Sequence, residues 1–188
     1  MKVSIFINIL SLIILFIGCN SRNCETDSKV IASNDSIIAN FDLRLYLKYN
    51  KEPILSSYSH DCFRLTIMLS LEDQLFVYKL ERMSDSILFS IKYLHRSSGG
   101  IIRDEKIILT DQQWNEFNDL IYEKNFWSIP CFPIQAAPIL HGTTWLLEGF
   151  NIDKNYCTDR NFHFAGRAEG YGEKEFFDIC KKLIAFGN

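Results

Sequence analysis

The feature that most constrains the fold is a set of short segments in which apolar and polar residues alternate. In residues 63–69 every second residue is apolar, namely Phe63, Leu65, Ile67 and Leu69, and the residues between them are mixed. The alternation recurs over residues 87–93, and an apolar run over residues 75–80 lies between the two. Period-two alternation is typical of β-strands that place one face on a core.

Short polar turns separate these segments, at residues 72–74 and 84–85. A loop that contains two glycines follows at residues 97–100, and residues 106–109 have the composition of a fourth strand. Short alternating strands joined by short polar turns are typical of an antiparallel β-meander. Residues 41–48 also alternate and favour a strand, with a short helix as the competing interpretation.

Two further segments predict helices. Thr110 begins a capping-box pattern that ends at Gln113, and apolar residues then follow at helical spacing up to about Lys124: Trp114, Phe117, Leu120 and Ile121. A second helix is predicted over residues 173–186, because acidic residues begin it and lysines lie near its end, as the helix dipole favours. The predicted fold class is α+β, an antiparallel β-meander sheet with two helices packed on one face.

Between these helices the sequence predicts a β-hairpin. Residues 143–150 have strand composition, residues 153–155 suit a three-residue turn, and residues 156–164 form the returning strand. In this register Glu148 faces Arg160, whereas a shift by one residue would set Glu148 against Asp159. Opposite charges on facing strands are favourable, so the charges favour the first register.

The amino terminus has a different composition from the rest of the chain. Lys2 precedes an apolar run over residues 3–17, and Gly18 and Cys19 follow. A helix of that run would span about 22 Å, short of a hydrocarbon core of roughly 30 Å. A basic start, a short apolar core and a small residue at its end predict an export signal over residues 1–19. Residues 20–40 are rich in Ser, Asn and Asp and predict a flexible tether, which leaves residues 41–188 as a single α+β domain.

The end of this signal, Phe16, Ile17, Gly18 and Cys19, resembles the signal of bacterial lipoproteins. The resemblance implies cleavage before Cys19, modification of Cys19 with lipid such as palmitate, and attachment to a membrane of the cell envelope. Asn20 is not the Asp that marks retention in the inner membrane, so the resemblance implies the outer membrane. An uncleaved membrane helix and a soluble secreted protein are the alternatives.

Lipidation of Cys19 would leave five other cysteines: Cys24, Cys62, Cys131, Cys157 and Cys180. An exported protein can form disulfides, but an odd number leaves at least one thiol unpaired. Cys180 lies among apolar residues of the second predicted helix and is expected to be buried and inert. A bridge from Cys157 to Cys62 or to Cys131 remains open, and spacing alone does not determine the pairing.

The composition excludes some classes of function. The formal net charge is −3 and the chain has no basic block, so nothing in it favours binding to nucleic acid. Aromatic residues make up 14% of the chain and include 15 Phe, which indicates a packed core rather than disorder. No cofactor or catalytic motif is found, and no two of the four histidines have the spacing of neighbours on a helix.

Residues 140–149, followed by Tyr156 and Arg160, resemble a pattern of uncharacterised exported bacterial proteins. Its typical form is Gly-x-Asp-Gly-Ser/Thr-x-Trp-x-x-Glu-Gly, then Tyr and Arg-Trp, and this chain has His141 where the pattern has Asp. The resemblance implies a fold and a compartment but no activity.

Two hypotheses of function follow. The first is a non-enzymatic envelope lipoprotein that binds a protein partner or surface ligand through residues 130–142 and the hairpin, of which an immunity protein against a secreted toxin is one form. Its candidate binding residues are His141, Trp145, Glu148, Tyr156 and Arg160. The second is a small hydrolase or metal-dependent enzyme, possible only if distant groups converge around the hairpin: His141, Glu148, Arg160 and His163. Surface histidines and a structural Glu148–Arg160 pair are the simpler interpretation, so no metal ligand is assigned.

Overall fold

The computed structural model describes residues 52–53, 55–69, 71–131, 142–152 and 162–188. The predicted signal over residues 1–19, the predicted tether over residues 20–40 and the predicted strand over residues 41–48 lie outside these ranges. So do most of the irregular segment 130–142 and the predicted hairpin turn.

Six antiparallel strands form one sheet. In chain order they are β1 (Asp61–Leu69), β2 (Gln74–Arg82), β3 (Ile87–His95), β4 (Ile101–Leu109), β5 (Thr143–Phe150) and β6 (Phe162–Ala168). Two helices, α1 (Asp111–Glu123) and α2 (Lys174–Ala185), and two short 3-10 turns (Leu55–Ser57 and Phe126–Ser128) complete the described part. The predicted α+β class is confirmed.

The order of strands across the sheet is β4-β3-β2-β1-β5-β6. The first four strands form the predicted meander, with Phe63 opposite Leu80 and Leu80 opposite Phe89. The chain then returns through α1 and adds β5 on the free side of β1, where Leu147 pairs with Leu65. As a result β1 lies in the interior of the sheet, and β4 and β6 form its two edges.

Helix α1 begins as the sequence predicts. The Thr110 side chain accepts a hydrogen bond from the Gln113 amide at 3.2 Å, and the Gln113 side chain accepts one from the Thr110 amide at 2.9 Å. These reciprocal bonds satisfy two amides that have no partner within the helix. Trp114, Phe117 and Ile121 face inward and are buried.

Both helices pack on the same face of the sheet. Phe63 of β1 contacts Phe117 of α1 with ring centres 5.2 Å apart, and Phe176, Ile179, Cys180 and Leu183 of α2 join the same apolar cluster. The Lys182 ammonium donates to the Glu116 carboxylate at 3.0 Å and connects the two helices at the surface. The prediction of two helices on one face is therefore confirmed.

The other face of the sheet is also buried, which the alternation of the strands did not predict. Arg64, Thr66 and Met68 of β1 point away from the helices and are at most 7% exposed. Among the described residues, those from Glu52 to Tyr58 lie on this face, since they hydrogen-bond to Arg64 and Lys79. A face that the sequence predicted as mixed is thus a second buried layer.

One element boundary within the described residues differs clearly from the prediction. Strand β4 begins at Ile101, five residues earlier than predicted, because its pairing with β3 continues through charged residues that carry no apolar alternation. The described part of the returning strand is Phe162–Ala168, and the earlier part of the predicted strand, residues 156–161, lies outside the described residues. No helix in the described ranges has the length and apolar character needed to cross a membrane.

Candidate functional site

Of the five candidate binding residues, the structure describes Trp145 and Glu148, both on β5. His141, Tyr156 and Arg160 lie outside the described residues. Trp145 and Glu148 are three positions apart on one strand, so their side chains lie on opposite faces of the sheet. The two described candidates therefore do not form one site.

The predicted register of the hairpin is wrong. Glu148 is paired with Phe164 and Phe150 with Phe162, so Arg160 does not face Glu148 in the sheet. Eleven residues of the sequence separate the paired residues Phe150 and Phe162, and the predicted turn at residues 153–155 lies outside the described residues. The complementary charges of Glu148 and Arg160 favoured the predicted register. In the structure β5 pairs instead with the apolar residues of β6, which lie later in the chain.

The partner of Glu148 is Arg64 on the neighbouring strand β1. Arg64 Nε donates to Glu148 Oε2 at 2.7 Å and Arg64 Nη2 to Oε1 at 2.9 Å, while the third guanidinium nitrogen donates to the Pro53 carbonyl at 2.8 Å. The Arg64 side chain is 0% exposed and that of Glu148 5%. Burial opposes the charged guanidinium, but the adjacent Glu148 carboxylate outweighs it and raises the pKa of Arg64.

A second buried carboxylate lies beside this pair. The Glu52 side chain is 2% exposed and accepts a short hydrogen bond from the Lys92 ammonium, and the Lys79 ammonium lies 3.6 Å from its other oxygen. Burial acts to raise the pKa of Glu52, but the Lys92 hydrogen bond and the charges of Lys79, Lys92 and Arg64 outweigh it and lower that pKa.

Lys79 extends this network to the end of β2. Its ammonium contacts the Glu81 carboxylate at 3.1 Å and donates to the Tyr58 hydroxyl at 3.2 Å. His60 Nε2 lies 3.3 Å from the same Glu81 carboxylate. We call six charged side chains the ionic layer: Glu52, Arg64, Glu81 and Glu148, which are buried, and Lys79 and Lys92, which are partly exposed.

The ionic layer has the properties of a structural element. Its three cationic and three acidic side chains balance, and each of them has an ion-pair partner within the layer. Two hydrogen bonds join the Arg64 guanidinium to the two oxygens of the Glu148 carboxylate, and neither group is directed at solvent. The layer fastens residues 52–58 to the sheet.

His163 lies on the other side of the sheet from Glu148. It pairs with Gly149 on β5, and its ring packs against Phe126 and Trp127 with centres 4.9 and 6.3 Å apart. Burial lowers the pKa of His163 to about 4, although hydrogen bonds to the backbone of Ile129 and Phe126 act in the opposite direction. Glu148 and His163 cannot converge on one metal or substrate, because the backbone of the sheet separates them.

Trp145 is part of the helix-side core. Its ring contacts Phe177 of α2 edge to face, with centres 5.6 Å apart. The indole Nε1 is buried and has no hydrogen-bond acceptor among the described residues. The position of Trp145 is therefore set mainly by packing on α2.

The sequence did not single out Arg167, which is fully buried like Arg64 among the described residues. It donates to the carbonyls of Pro130 and Gly166 at 2.8 and 2.7 Å and to the Glu173 carboxylate at 2.6 Å, and its guanidinium lies 5.5 Å from the centre of the Phe176 ring. Arg167 thus ties the end of the segment after α1 to β6 and to the start of α2. The sequence offers one signal for this burial: Arg167, like Arg64, follows an apolar or small residue within a strand.

The structure describes three of the predicted thiols, Cys62, Cys131 and Cys180. Cys180 is 0% exposed within the helix-side core, and burial raises its pKa well above the ordinary value, as expected of an inert thiol. Cys62 is a free thiol that packs with Leu55 and Phe150, so the candidate bridge from Cys62 to Cys157 is wrong. Cys24 and Cys157 lie outside the described residues.

Within the described ranges no three His, Cys, Asp or Glu side chains are placed to hold one metal ion. The surface does expose several large apolar side chains. Three of them lie at the end of the sheet where the chain enters β5: Leu71, Ile101 and Tyr171, which are 80, 62 and 66% exposed. Comparison with protein-family models, curated proteins and solved structures gives no match to this chain.

Proposed function

We propose that this chain is a lipid-anchored protein of the bacterial cell envelope, held in the outer membrane through Cys19, and that its folded domain binds a partner protein. The observation that carries the proposal is the sequence of residues 1–19, a basic start and a short apolar run that end at Gly18 and Cys19. The polar residues 20–40 supply a tether long enough to hold a domain away from the bilayer.

The geometry of the described residues favours a binding role over a hydrolytic one. Two of the four residues of the enzyme hypothesis are described, and the sheet separates them. Glu148 is buried and its charge is matched by Arg64 through hydrogen bonds to both oxygens, so it is not presented to a substrate at the surface. A carboxylate held in this way stabilises a fold rather than transfers protons.

The sheet end that carries Leu71 and Tyr171 is the best surface for the partner. Residues 130–142, which the sequence predicts as a binding segment, enter β5 at this end, and Thr143 there accepts a hydrogen bond from the Glu169 amide at 2.8 Å. Exposed tyrosines and aliphatic side chains on a rigid sheet are typical of protein interfaces. An immunity protein that binds a secreted toxin is one form of such a module.

Lipid attachment is tested by Cys19→Ala in a bacterial host supplied with labelled palmitate. The variant should lose the label, accumulate as a precursor of higher mass and leave the membrane fraction. Cys24→Ala, five residues later, is the matched control and should retain all three properties. Processing and labelling of Cys19→Ala at the level of the unsubstituted chain would overturn the anchor.

Partner binding is tested by crosslinking in intact membranes and identification of the captured protein by mass spectrometry. Tyr171→Ala and Leu71→Ala should each reduce capture of that protein. Met83→Ala is the control, because Met83 is an exposed apolar residue in the turn at the other end of the sheet. Equal loss with all three variants, or no captured protein at all, would count against a binding module at this end.

A further inference from the structure

Four apolar side chains form a small cluster on the sheet face that the helices do not cover: Met68 of β1, Leu75 and Val77 of β2, and Leu94 of β3. Met68 is paired with Leu75 and Leu75 with Leu94, and Val77, two positions from Leu75, points to the same side. In the order given they are 7, 1, 2 and 1% exposed. We call them the second-face cluster.

The sheet alone does not account for the burial of this cluster. Side chains stand roughly perpendicular to a sheet, so their ends stay in water unless another layer packs on them. Arg96 reaches across the end of the sheet to the Leu69 carbonyl at 3.5 Å, but one side chain is too small to cover four. The described residues 52–58 contact the face nearer its other end, at Arg64 and Cys62. The exposures are those of one chain by itself, so a further segment of the same chain covers the cluster.

The course of the chain near Glu52 indicates which segment this is. Leu55 packs with Cys62 at the far end of the face. Glu52, by contrast, contacts Lys92, which is two residues from Leu94 on β3. Traced backward from Leu55 to Glu52, the chain therefore runs toward the second-face cluster, and the residues before Glu52 enter the face where the cluster lies.

Residues 41–51 have the length and the composition to cover the cluster. Extended, they span up to about 36 Å, whereas Lys92 and Leu94 are only about 7 Å apart along β3. Every second residue from 41 to 47 is apolar, whereas residues 20–40 are rich in Ser, Asn and Asp. We propose that residues 41–51 pack on the second-face cluster and complete the second layer of the domain.

The segment before β5 is the competing candidate. Residues 132–141 lie between Cys131, whose carbonyl accepts a hydrogen bond from the Gly166 amide of β6 at 2.8 Å, and Gly142 at the start of β5. Both ends of that segment are thus at β5 and β6, and strands β1 and β2 separate β5 from Leu94 on β3. The geometry therefore favours residues 41–51, which end beside β3.

This packing determines where the tether joins the domain. The tether ends at residue 40 and meets the domain on the face opposite the helices. Glu52, which is buried against Lys92 and Lys79, holds the end of the added layer on the sheet. The inference goes beyond the proposed function and does not depend on lipid at Cys19.

Methionine oxidation measures whether the cluster is covered. Met68 belongs to the cluster, whereas Met83 lies in the turn after β2 and is 37% exposed. Hydrogen peroxide converts accessible methionine to its sulfoxide, and mass spectrometry of peptides gives the rate at each residue. In the full-length chain, purified in detergent, Met68 should be oxidised roughly fivefold more slowly than Met83, in proportion to the exposure of the two side chains.

The segment is tested by replacing its four alternating apolar residues together: Phe41→Ser, Leu43→Ser, Leu45→Ser and Leu47→Ser. Oxidation of Met68 should then become about as fast as that of Met83. The matched control replaces four apolar residues of the tether and should leave Met68 protected: Val30→Ser, Ile31→Ser, Ile37→Ser and Ile38→Ser. Cys180, which is 0% exposed in the helix-side core, should stay unreactive toward a maleimide in both variants, because that core does not depend on the segment.

A crosslink tests the same contact without disturbing the segment, and it decides the matter if the serine variant unfolds and Cys180 reacts. Ile101 is 62% exposed and paired with Leu94, so p-benzoylphenylalanine is tolerated there and lies beside the cluster. On irradiation it should crosslink within the chain to residues 41–51. A crosslink to residues 132–141 or to a different protein, no crosslink to residues 41–51, or continued protection of Met68 in the folded serine variant would overturn the proposal.

Discussion

Arg64 and Glu148 lie 84 residues apart in the chain, yet they face each other on adjacent strands and are joined by two hydrogen bonds. Both side chains are buried, so each charge is stabilised by the other rather than by water. The pair connects the meander to the β5–β6 hairpin on the face that the helices do not cover. A buried pair of this kind makes the correct placement of β5 beside β1 favourable, because a different register would leave a charge unpaired.

Glu148→Gln should lower the free energy of unfolding by about 3–5 kcal/mol, because it leaves the buried Arg64 guanidinium without a counter-charge. The substitution keeps the volume of the side chain, so no cavity contributes. Urea denaturation followed by circular dichroism measures the change. The double variant Arg64→Met, Glu148→Leu should be more stable than Glu148→Gln alone, since it removes both charges; a double variant less stable than the single one would contradict a pairing role.

The strands of the meander were predictable because their alternation is local. The position of β5 was not, since its neighbour β1 is separated from it by more than 70 residues and no local pattern specifies that pairing. The same limit explains the wrong partner of Glu148. Arg160 is near it in sequence and has the right charge, whereas Arg64 becomes its neighbour only when the sheet has formed.

The burial of the second face was missed for a related reason. Lys79, Lys92 and Arg64 occupy the polar positions of alternating strands, and such residues are usually solvated. Arg64 is buried and Lys79 and Lys92 are mostly covered here, because Glu52 and the Pro53 carbonyl lie on this face and contact them. The sequence of that segment carries no periodicity that would place it there. The capping box and the apolar face of α1, by contrast, depend on residues three or four apart and were confirmed.

Glu52→Gln should destabilise the protein at neutral pH and have little effect in acid. The pKa of Glu52 is lowered from its ordinary value of 4.5 in the folded protein, so its ionised form stabilises the fold above that value and the contribution is lost as the pH falls through the lowered pKa. The difference in unfolding free energy between the variant and the unsubstituted chain should therefore be largest near pH 7 and shrink below pH 4.5. Urea titrations across this range measure it, with Glu72→Gln as the control for loss of an exposed carboxylate. A difference that does not change with pH would show that the Glu52 charge is not what stabilises the segment.

His163 should make the free energy of unfolding depend on pH separately, between pH 6.5 and about pH 4. Because burial lowers its pKa, the unfolded chain takes up a proton in this range before the folded protein does, and stability falls as the pH decreases. The loss accumulates to at most about 3 kcal/mol. His163→Phe, which keeps an aromatic ring against Phe126, should remove this component of the pH dependence. An identical slope in the variant would mean that His163 does not titrate in this way.

The absence of a side chain at Gly149 lets two aromatic rings pack close to the backbone of β5 on its helix side. A methyl group at this position would lie 2.7 Å from the Phe126 ring and 3.0 Å from the Phe63 ring. Gly149→Ala should therefore lower the free energy of unfolding by about 1–3 kcal/mol through overpacking. Phe126→Leu in the same chain should relieve part of the overlap, so the double variant should be more stable than the sum of the two single effects predicts. Additive effects in thermal or urea unfolding would indicate that the two residues do not press on each other.

Arg167→Lys tests whether the second buried cation acts through its geometry or only through its charge. The guanidinium donates in three directions, to Pro130, Gly166 and Glu173, and a lysine ammonium on its flexible stem cannot reproduce that planar arrangement. The variant should lose about 1–3 kcal/mol of unfolding free energy although its charge is unchanged. Glu173→Gln should cost less than about 1 kcal/mol, because the Glu173 side chain is 40% exposed and water screens the pair. Urea denaturation of both variants distinguishes the two roles: a Glu173→Gln effect as large as that of Arg167→Lys would assign the stability to the ion pair rather than to the carbonyl contacts that hold the segment after α1.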